Sequence, residues 1–340
     1  MPVKAGINGF GRIGRNVFRA AKERGADIDW VGVNDITDVN TLAHLLKWDS
    51  LLGPFPGEIE TSDSGLVIDG KELPVFSERD PADLPWSDVG ADVVIESTGL
   101  FTDRDSAAKH LQAGAHKVII SAPATGADVT LVPGVNDDAY DADAHEVISN
   151  ASCTTNCLAP VAQVLNDAVG IEAGVMTTIH AYTADQNLHD APHKDLRRAR
   201  AAAINLVPTS TGAAKAIGAV IPELDGKLNG VAVRAPIPTG SVVDLTCSVS
   251  RDTTVEEINA AFAERGDSGP LEGVLQYSEA PLVSSDITHS PYSAIFDSQL
   301  TMTVGPRLVK VIAWYDNEWG YSNRLVDLTQ RVLQGVAAPR

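Results

Sequence analysis

A chain of 340 residues, 44% hydrophobic and 21% charged, has ample material for a core; at about 100–200 residues per domain it should form two domains or one large one. Lysine and arginine number 26 against 45 acidic residues, a net charge of −19, with 30 Asp, 15 Glu and only 10 Lys. That field repels nucleic-acid phosphates, and no apolar run approaches the ~18 residues of a membrane span, so neither a nucleic-acid partner nor a membrane is expected. Two explanations of the acidity stay open. One is a solvated, solubilising surface; the other is adaptation to high salt, where a Debye length of ~3 Å at 1 M screens self-repulsion. The N-terminus, Met1 to Ile7, runs into an apolar strand without a basic region or cleavage site, so no signal peptide is expected. Three cysteines, Cys153, Cys157 and Cys247, make no disulfide framework and no zinc spacing, which points to a reducing cytoplasm and no metal.

The first half alternates strands and helices. Val3–Asn8 reads as a strand, Arg12–Ala21 as a helix through Ile13, Val17 and Ala20, and Asp29–Asn34 as a second strand. Residues 55–90 read as hairpins and loops. Strands follow at Asp92–Glu96, Lys117–Ser121, Thr130–Val132 and Glu146–Ser149, with a helix at Asp103–Ala113 stopped by Gly114. This alternation predicts an α/β Rossmann-type domain with a parallel sheet. After about residue 152 the texture changes. A helix at Thr154–Ala168 precedes long strands at Gly174–Thr183, Gly230–Ala235, Val242–Ser250 and Leu308–Tyr315, with helices at Ala213–Val220 and Val255–Ala263. That pattern predicts an α+β catalytic domain with a mixed or antiparallel sheet. Ala184–Pro208 has little pattern, and a loop of that length is usually functional or held at an interface. Asn323–Gln334 reads as an amphipathic helix.

Gly9-Phe10-Gly11-Arg12-Ile13-Gly14 is a GxGxxG between a strand and a helix. Gly9 permits the tight turn, Gly11 lets the backbone approach a pyrophosphate, and Gly14 lets the helix pack close to the strand. The helix N-terminus adds free N–H groups and a positive dipole end. Asp35, 21 residues after Gly14 at the end of the next strand, is placed to accept from the adenosine ribose hydroxyls and would repel a 2′-phosphate, favouring NAD over NADP. The plain alternative for Asp35 is a solvated strand-end acid.

Cys153 opens a helix after a strand, among Ser152, Thr154, Thr155 and Asn156. Helix N-termini stabilise thiolates, so Cys153 is the candidate nucleophile, ionised at neutral pH. Cys157 and Cys247 read as core packing. His180 ends an apolar strand before the irregular loop and is the candidate base, although such a residue alone is more often structural. The other seven histidines, 44, 110, 116, 145, 189, 193 and 289, read as surface. Periodicity does not bring His180 to Cys153.

The residue blocks resemble the phosphorylating glyceraldehyde-3-phosphate dehydrogenases over the whole length. They include Ile7 to Arg15, Ser77 to Pro81, Glu96 to Gly99, Ile120 to Pro123, Ser149 to Pro160, His180 to Thr183, Thr211 to Ala216 and Trp314 to Glu318. The resemblance implies that Cys153 attacks the aldehyde of glyceraldehyde 3-phosphate, that His180 is general base, and that inorganic phosphate releases the thioester as 1,3-bisphosphoglycerate. By the same resemblance Thr183 and Arg234 hold the substrate phosphate, while Ser152, Thr154, Thr211, Gly212 and Arg198 hold the attacking phosphate, Arg198 serving both. Arginine's planar fork suits this role. Arg197, Arg198 and Arg200 have an alternative as a basic loop face paired with Asp185, Asp190 and Asp195. For NAD the resemblance assigns Arg12, Ile13, Asp35, Arg79, Ser121 and Asn317, with Asn317 on the nicotinamide carboxamide. It implies an NAD-binding domain of 1–152 plus 317–340, a catalytic domain of 153–316, and a homotetramer with Ala184–Pro208 at a subunit interface. Two departures stand out. Ala191-Pro192 replaces the usual Leu-Pro, and Ala235-Pro236-Ile237-Pro238 follows Arg234 where Val-Pro-Thr is usual. Erythrose-4-phosphate dehydrogenase, with water in place of phosphate, and a non-catalytic NAD-binding interaction protein are the alternatives.

Overall fold

A computed structural model of the chain describes residues 2–266 and 268–333. The chain divides into two compact units. The first comprises the residues up to Leu131, Asp138–Ala151 and the chain from Ser322; the second comprises Val132–Asp137 and Ser152–Tyr321. Among the described residues no helix is long and apolar enough to cross a membrane.

In the first unit the short apolar runs become buried parallel strands. Val129–Thr130, Val147–Ser149, Lys117–Ile120, Val93–Glu96, Val3–Asn8, Ile28–Asn34 and Lys71–Phe76 lie side by side in that order, all parallel; the antiparallel strands Gly65–Ile68 and Ile59–Thr61 extend the sheet. Runs such as Val93–Glu96 are buried at every residue, as expected of a parallel sheet covered on both faces. From Val3–Asn8 the chain first builds outward to one side and then returns to build on the other. The order reverses there, so the crevice at the carboxyl end of Val3–Asn8 is the expected ligand site of such a sheet. Ile7, Phe10, Phe18, Val33, Leu42 and Leu46 pack as one cluster beneath it. The helix expected over Asp103–Ala113 breaks at Ala108 into Arg104–Ala107 and Lys109–Gln112. Gly114 ends it at φ +105, where an added Cβ would sit 2.6 Å from the Ser87 Cβ. A helix at Val39–Lys47, absent from the sequence reading, is capped by Asp38, which accepts from the Thr41 N–H.

The second unit is built on a mixed sheet. Its order is Val207–Ser210, Leu228–Ala235, Ile171–Ala181, Ser241–Val249, Leu308–Tyr315, Ala294–Asp297 and Leu275–Ser278, with Met302–Val304 also pairing to Leu308–Tyr315. Ile171–Ala181 runs parallel to Leu228–Ala235 and antiparallel to Ser241–Val249. Strict alternation sends Val243, Leu245, Cys247 and Val249 to the buried face, against Cys153–Val169 and its neighbours, and leaves Val175 and Val231 exposed on the other. The helix expected over Ala213–Val220 is only a 3-10 stretch, Lys215–Ala219. Gly218 lies so close to Asp225 that an added Cβ would meet the Asp225 Cα at 2.9 Å, so a tight fold-back wins over helical propensity. The C-terminal helix is Trp319–Arg331. It starts earlier than read because Asp316 Oδ1 accepts from the Glu318 and Trp319 N–H groups; Gln334 lies outside the described residues.

Candidate active site

The glycine loop of the first unit divides its work by position. Gly9 has φ +89, and a Cβ there would lie 2.7 Å from the Thr98 nitrogen. A Cβ on Gly14 would lie 2.2 Å from the Gly9 oxygen, whereas one on Gly11 would meet nothing within 4 Å. Gly9 and Gly14 are therefore demanded by the fold, and Gly11 by whatever approaches the helix N-terminus. Asp35 anchors the loop: Oδ2 accepts from the Phe10 N–H and Oδ1 from the Thr37 N–H, both at 2.9 Å. A cavity of about 300 Å³ opens here, with Gly9, Gly11, Asp35, Arg79 and Thr98 in its wall. Arg12 turns to Asp49 at 2.5 Å, Ile13 is half-buried, and Ser121 follows the strand Lys117–Ile120 with its N–H on the Glu96 carbonyl. Asn317 belongs to the second unit, where its Oδ1 accepts from the Ser241 hydroxyl.

Cys153 is the first residue of its helix. Ala151, at φ +54, turns the chain in the left-handed region, and Ser152 caps the helix by accepting from the Thr155 N–H at 3.0 Å. Cys153 Sγ lies 3.4 Å from His180 Nε2. His180 reaches it from the strand Ile171–Ala181, and the parallel register sets His180 beside Arg234. Tyr315 closes the back of the pair. Its hydroxyl lies 2.8 Å from Thr154 Oγ1 and 3.0 Å from Thr178 Oγ1, and its ring meets His180 edge-on.

The electrostatics bear on the expected thiolate. Burial pushes the Cys153 thiol above its ordinary value, opposed by Arg234 and by the Thr154 hydroxyl and N–H, so the helix end does not by itself ionise the sulfur. Burial first, and then Arg234, push His180 down to about 3. Both shifts favour the uncharged form of their group. Burial pushes Cys157 well up and Cys247 to about 12, in keeping with their packing roles.

The anion candidates divide into two groups. Thr183 and Arg198 meet on Asp185: the Thr183 hydroxyl donates to Oδ1, and Arg198 Nη1 lies 2.7 Å from Oδ2. Arg198 also donates to Thr209 Oγ1 and lies 3.5 Å from Asp195. Thr211 Oγ1 accepts from the Ala213 N–H, and Gly212 is open above its Cα. Ser152 Oγ accepts the cap bond, and the Thr154 hydroxyl lies against that of Tyr315. Arg200 pairs with Asp190, as its plainer reading held. Arg234 ends the strand Leu228–Ala235 despite the altered run that follows it.

Comparison with known proteins agrees with this arrangement. The family profile of the glyceraldehyde 3-phosphate dehydrogenase C-terminal domain matches residues 152–317, and that of its NAD binding domain matches residues 3–104. Glyceraldehyde-3-phosphate dehydrogenase 1 of Streptomyces avermitilis is 62% identical over 96% of this chain and 98% of its own. The Mycobacterium bovis protein of that name is 61% identical over 98% and 99%, and the Geobacillus stearothermophilus protein 59% over 96% and 97%. The chain belongs to the glyceraldehyde-3-phosphate dehydrogenase family.

Membership makes it an oxidoreductase with NAD as cofactor, and the first unit fits that cofactor. Gly11 leaves room for a pyrophosphate, and Asp35 keeps acceptor capacity toward the cavity beside its two backbone bonds. Three residues of this chain were missed in the sequence. Tyr315 and Ser241 are buried and look like strand core. His110, read as surface, is fully buried: Trp86 Nε1 donates to its Nδ1 at 2.9 Å, and its Nε2 lies 3.0 Å from Glu96 Oε2. The indole can only donate, so Nδ1 accepts and Nε2 carries the proton toward Glu96. Glu96 Oε1 in turn accepts from the Thr98 N–H at 2.8 Å, fixing the turn that covers Gly9.

Proposed function

We propose that this protein oxidises D-glyceraldehyde 3-phosphate to 1,3-bisphosphoglycerate, with Cys153 as nucleophile and His180 as general base. The observation that carries the reading is the 3.4 Å approach of Cys153 Sγ to His180 Nε2 at a helix start. Sγ gives its proton to Nε2 and attacks the aldehyde carbon, and the carbonyl oxygen, left as an alkoxide, takes that proton back from Nε2 to give the thiohemiacetal. His180 then takes the hydroxyl proton of the thiohemiacetal as the C–H bond breaks. The bound NAD supplies the hydride acceptor. The product on Sγ is a thioester, whose carbonyl inorganic phosphate attacks, expelling the thiolate. Residues 1–152 and 317–340 serve NAD through Gly9, Gly11, Arg12, Ile13, Gly14, Asp35, Arg79, Ser121 and Asn317, while 153–316 perform the chemistry. Thr183 and Arg234 take the substrate phosphate; Ser152, Thr154, Arg198, Thr211 and Gly212 take the attacking one.

The test is NAD reduction by glyceraldehyde 3-phosphate with and without phosphate, with Cys153→Ser as control. Phosphate-dependent turnover that the variant abolishes supports the reading; full activity in the variant, or indifference to phosphate, refutes it. The latter outcome would favour water as acyl acceptor, as in erythrose-4-phosphate oxidation. NAD is preferred to NADP because Asp35 faces the cavity with its carboxylate.

We also propose a homotetramer in the cytoplasm. Leu188, Leu196, Ile204 and Leu206 stand exposed along the irregular segment, at 67–81%, beside an open sheet face bearing Val175 and Val231, and apolar groups so exposed mark contact surfaces. We propose adaptation to high salt as one source of the net charge of −19, beside a plain solubilising surface.

A further inference from the structure

The floor of the cofactor cavity is a buried polar network. Asn8, Asn34 and Glu96 are the last residues of three adjacent parallel strands, and His110 joins them from the short helix Lys109–Gln112. Its hydrogen bonds can be assigned from the outside inward, because the outer groups can only donate. The Glu78 N–H donates to Asn34 Oδ1 at 2.8 Å, which fixes that amide. Asn34 Nδ2 then donates to the Glu78 carbonyl at 2.9 Å and to Asn8 Oδ1 at 2.7 Å. Asn8 is fixed in turn, and its Nδ2 donates to Glu96 Oε2 at 2.5 Å. With the Trp86 indole on His110 Nδ1, the Nε2–H points at the same Glu96 oxygen, 3.0 Å away. The Thr98 N–H donates to the other oxygen, Oε1, at 2.8 Å, beside the Thr98 hydroxyl. Three relays thus end as donors on one carboxyl group.

Two of these relays begin in the cavity wall. Thr98 stands in that wall over Gly9, and Ser97 Oγ donates to the Gly9 oxygen at 2.7 Å. Glu78 and Arg79 form another stretch of the wall, with Asp35. Glu96 is bonded to the first stretch directly and to the second through two side-chain amides. A carboxyl group can accept at both oxygens, whereas a carboxamide cannot. Glutamine here would turn its NH2 either to the Thr98 N–H or to Asn8 and His110. Flipping Asn8 to meet it passes the mismatch to Asn34, and from there to Glu78.

We propose that Glu96 is the positioning residue of the adenosine end of the cofactor cavity. Its carboxyl group sets the Thr98 turn and, through Asn8 and Asn34, the Glu78–Arg79 segment, so both walls stand in place before the dinucleotide arrives. Walls ordered in advance spare binding the entropy of ordering them. Glu96 acts through these neighbours, so its loss is read as lost affinity for the adenosine half of the cofactor. This deepens the reading of the first unit as the NAD site and rests on Asp35 and Arg79 facing adenosine.

The experiment combines residue-resolved amide hydrogen exchange with calorimetric titration of ADP-ribose, which lacks the nicotinamide, on the wild type, Glu96→Gln and Asn34→Ala. In the ligand-free wild type the Thr98 and Glu78 amides should exchange at least about tenfold more slowly than exposed loop amides. Exchange as fast as in exposed loops overturns the proposal whatever the variants do. In Glu96→Gln both amides should lose protection, although Glu96 reaches Glu78 only through Asn8 and Asn34. The Kd values of ADP-ribose and NAD should rise by a common factor of about tenfold, the scale of a buried donor left unpaired, and KM for NAD should change far more than kcat. A merely structural residue would lower the melting temperature and leave both Kd values of the folded protein unchanged; that result, or protection lost at Thr98 alone, overturns the proposal. Asn34→Ala should expose the Glu78 amide, keep Thr98 protected and weaken ADP-ribose, and an unchanged Kd overturns the relay even where Glu96→Gln does not fold. The double variant should bind ADP-ribose about as well as Glu96→Gln, and losses that multiply mean that the two residues act apart, which also overturns it. A wild type with both amides protected that binds NAD but not ADP-ribose refutes a different statement, the placing of adenosine in this cavity.

Discussion

Ser241 Oγ donates to Asn317 Oδ1 at 2.8 Å while accepting from the Ala181 N–H at 3.0 Å, so one buried hydroxyl ties the residue after the candidate base to the residue proposed to hold the nicotinamide amide. Ser241→Ala leaves a buried N–H and a buried carbonyl unpaired, at a cost of about 1–3 kcal/mol. The expected result is a lower melting temperature and a KM for NAD raised several-fold, with a smaller change in kcat. Unchanged NAD affinity would detach Ser241 from Asn317's role.

Tyr315 has a similar place behind the nucleophile. Its hydroxyl serves both Thr154, on the catalytic helix, and Thr178, on the strand of His180, and is wholly enclosed. Tyr315→Phe should destabilise the protein by about 1–3 kcal/mol, because two threonine hydroxyls lose a buried partner. Acylation should also slow, since the helix start and the imidazole share this support. Thermal melting and the NADH burst measure the two effects separately.

Local chemistry explains which parts could be read in advance. The strand Val3–Asn8 and the glycine loop carry their roles in residue type, and the structure puts strand, loop, helix and Asp35 in the expected order. Cys153 at a helix start was legible for the same reason. Its meeting with His180 was not, since it depends on the register that packs Ile171–Ala181 against Leu228–Ala235 and Ser241–Val249. Tyr315 and His110 were opaque because their partners are distant in sequence: Thr154 and Thr178 for one, Trp86 and Glu96 for the other. The opposition between helix end and desolvation at Cys153 was not legible, because a motif reveals the helix dipole but not what surrounds the sulfur.

Gly9 and Gly14 should tolerate nothing larger. At Gly9 the left-handed φ and the approach of Thr98 act together, and at Gly14 a methyl group would strike the Gly9 carbonyl. Gly9→Ala should cost about 1–3 kcal/mol in backbone strain and weaken NAD binding well beyond that of Gly11→Ala, where the space above the loop is open. Calorimetric titration with NAD compares the two. Equal losses at both positions would contradict the division of labour.

The surplus of acids predicts a salt response. Exposed pairs such as Arg307–Asp252 and Arg200–Asp190 contribute little and are screened by salt, so they cannot offset repulsion among 45 carboxylates facing 26 cations. The melting temperature should rise as KCl goes from millimolar to molar. A flat or falling curve would leave the acidity as a solubility feature alone.

Acid should unfold the protein partly through His180. Burial and the neighbouring Arg234 push its pKa down from 6.5 to about 3. Between those values the unfolded chain binds a proton at this imidazole and the folded chain does not. Stability is therefore complete above pH ~6.5 and falls as pH drops toward ~3, by an amount on the order of a few kcal/mol. Carboxylates held below their ordinary range, such as Asp49 beside Arg12 and Asp128 beside Arg104, lose stabilisation in the same direction and obscure the effect in the wild type. His180→Asn carries the same carboxylates and lacks the imidazole. Denaturant unfolding of both proteins between pH 7 and pH 4 should give a shallower loss for the variant, and parallel curves would mean that the imidazole is hydrated enough to accept its proton in the folded state.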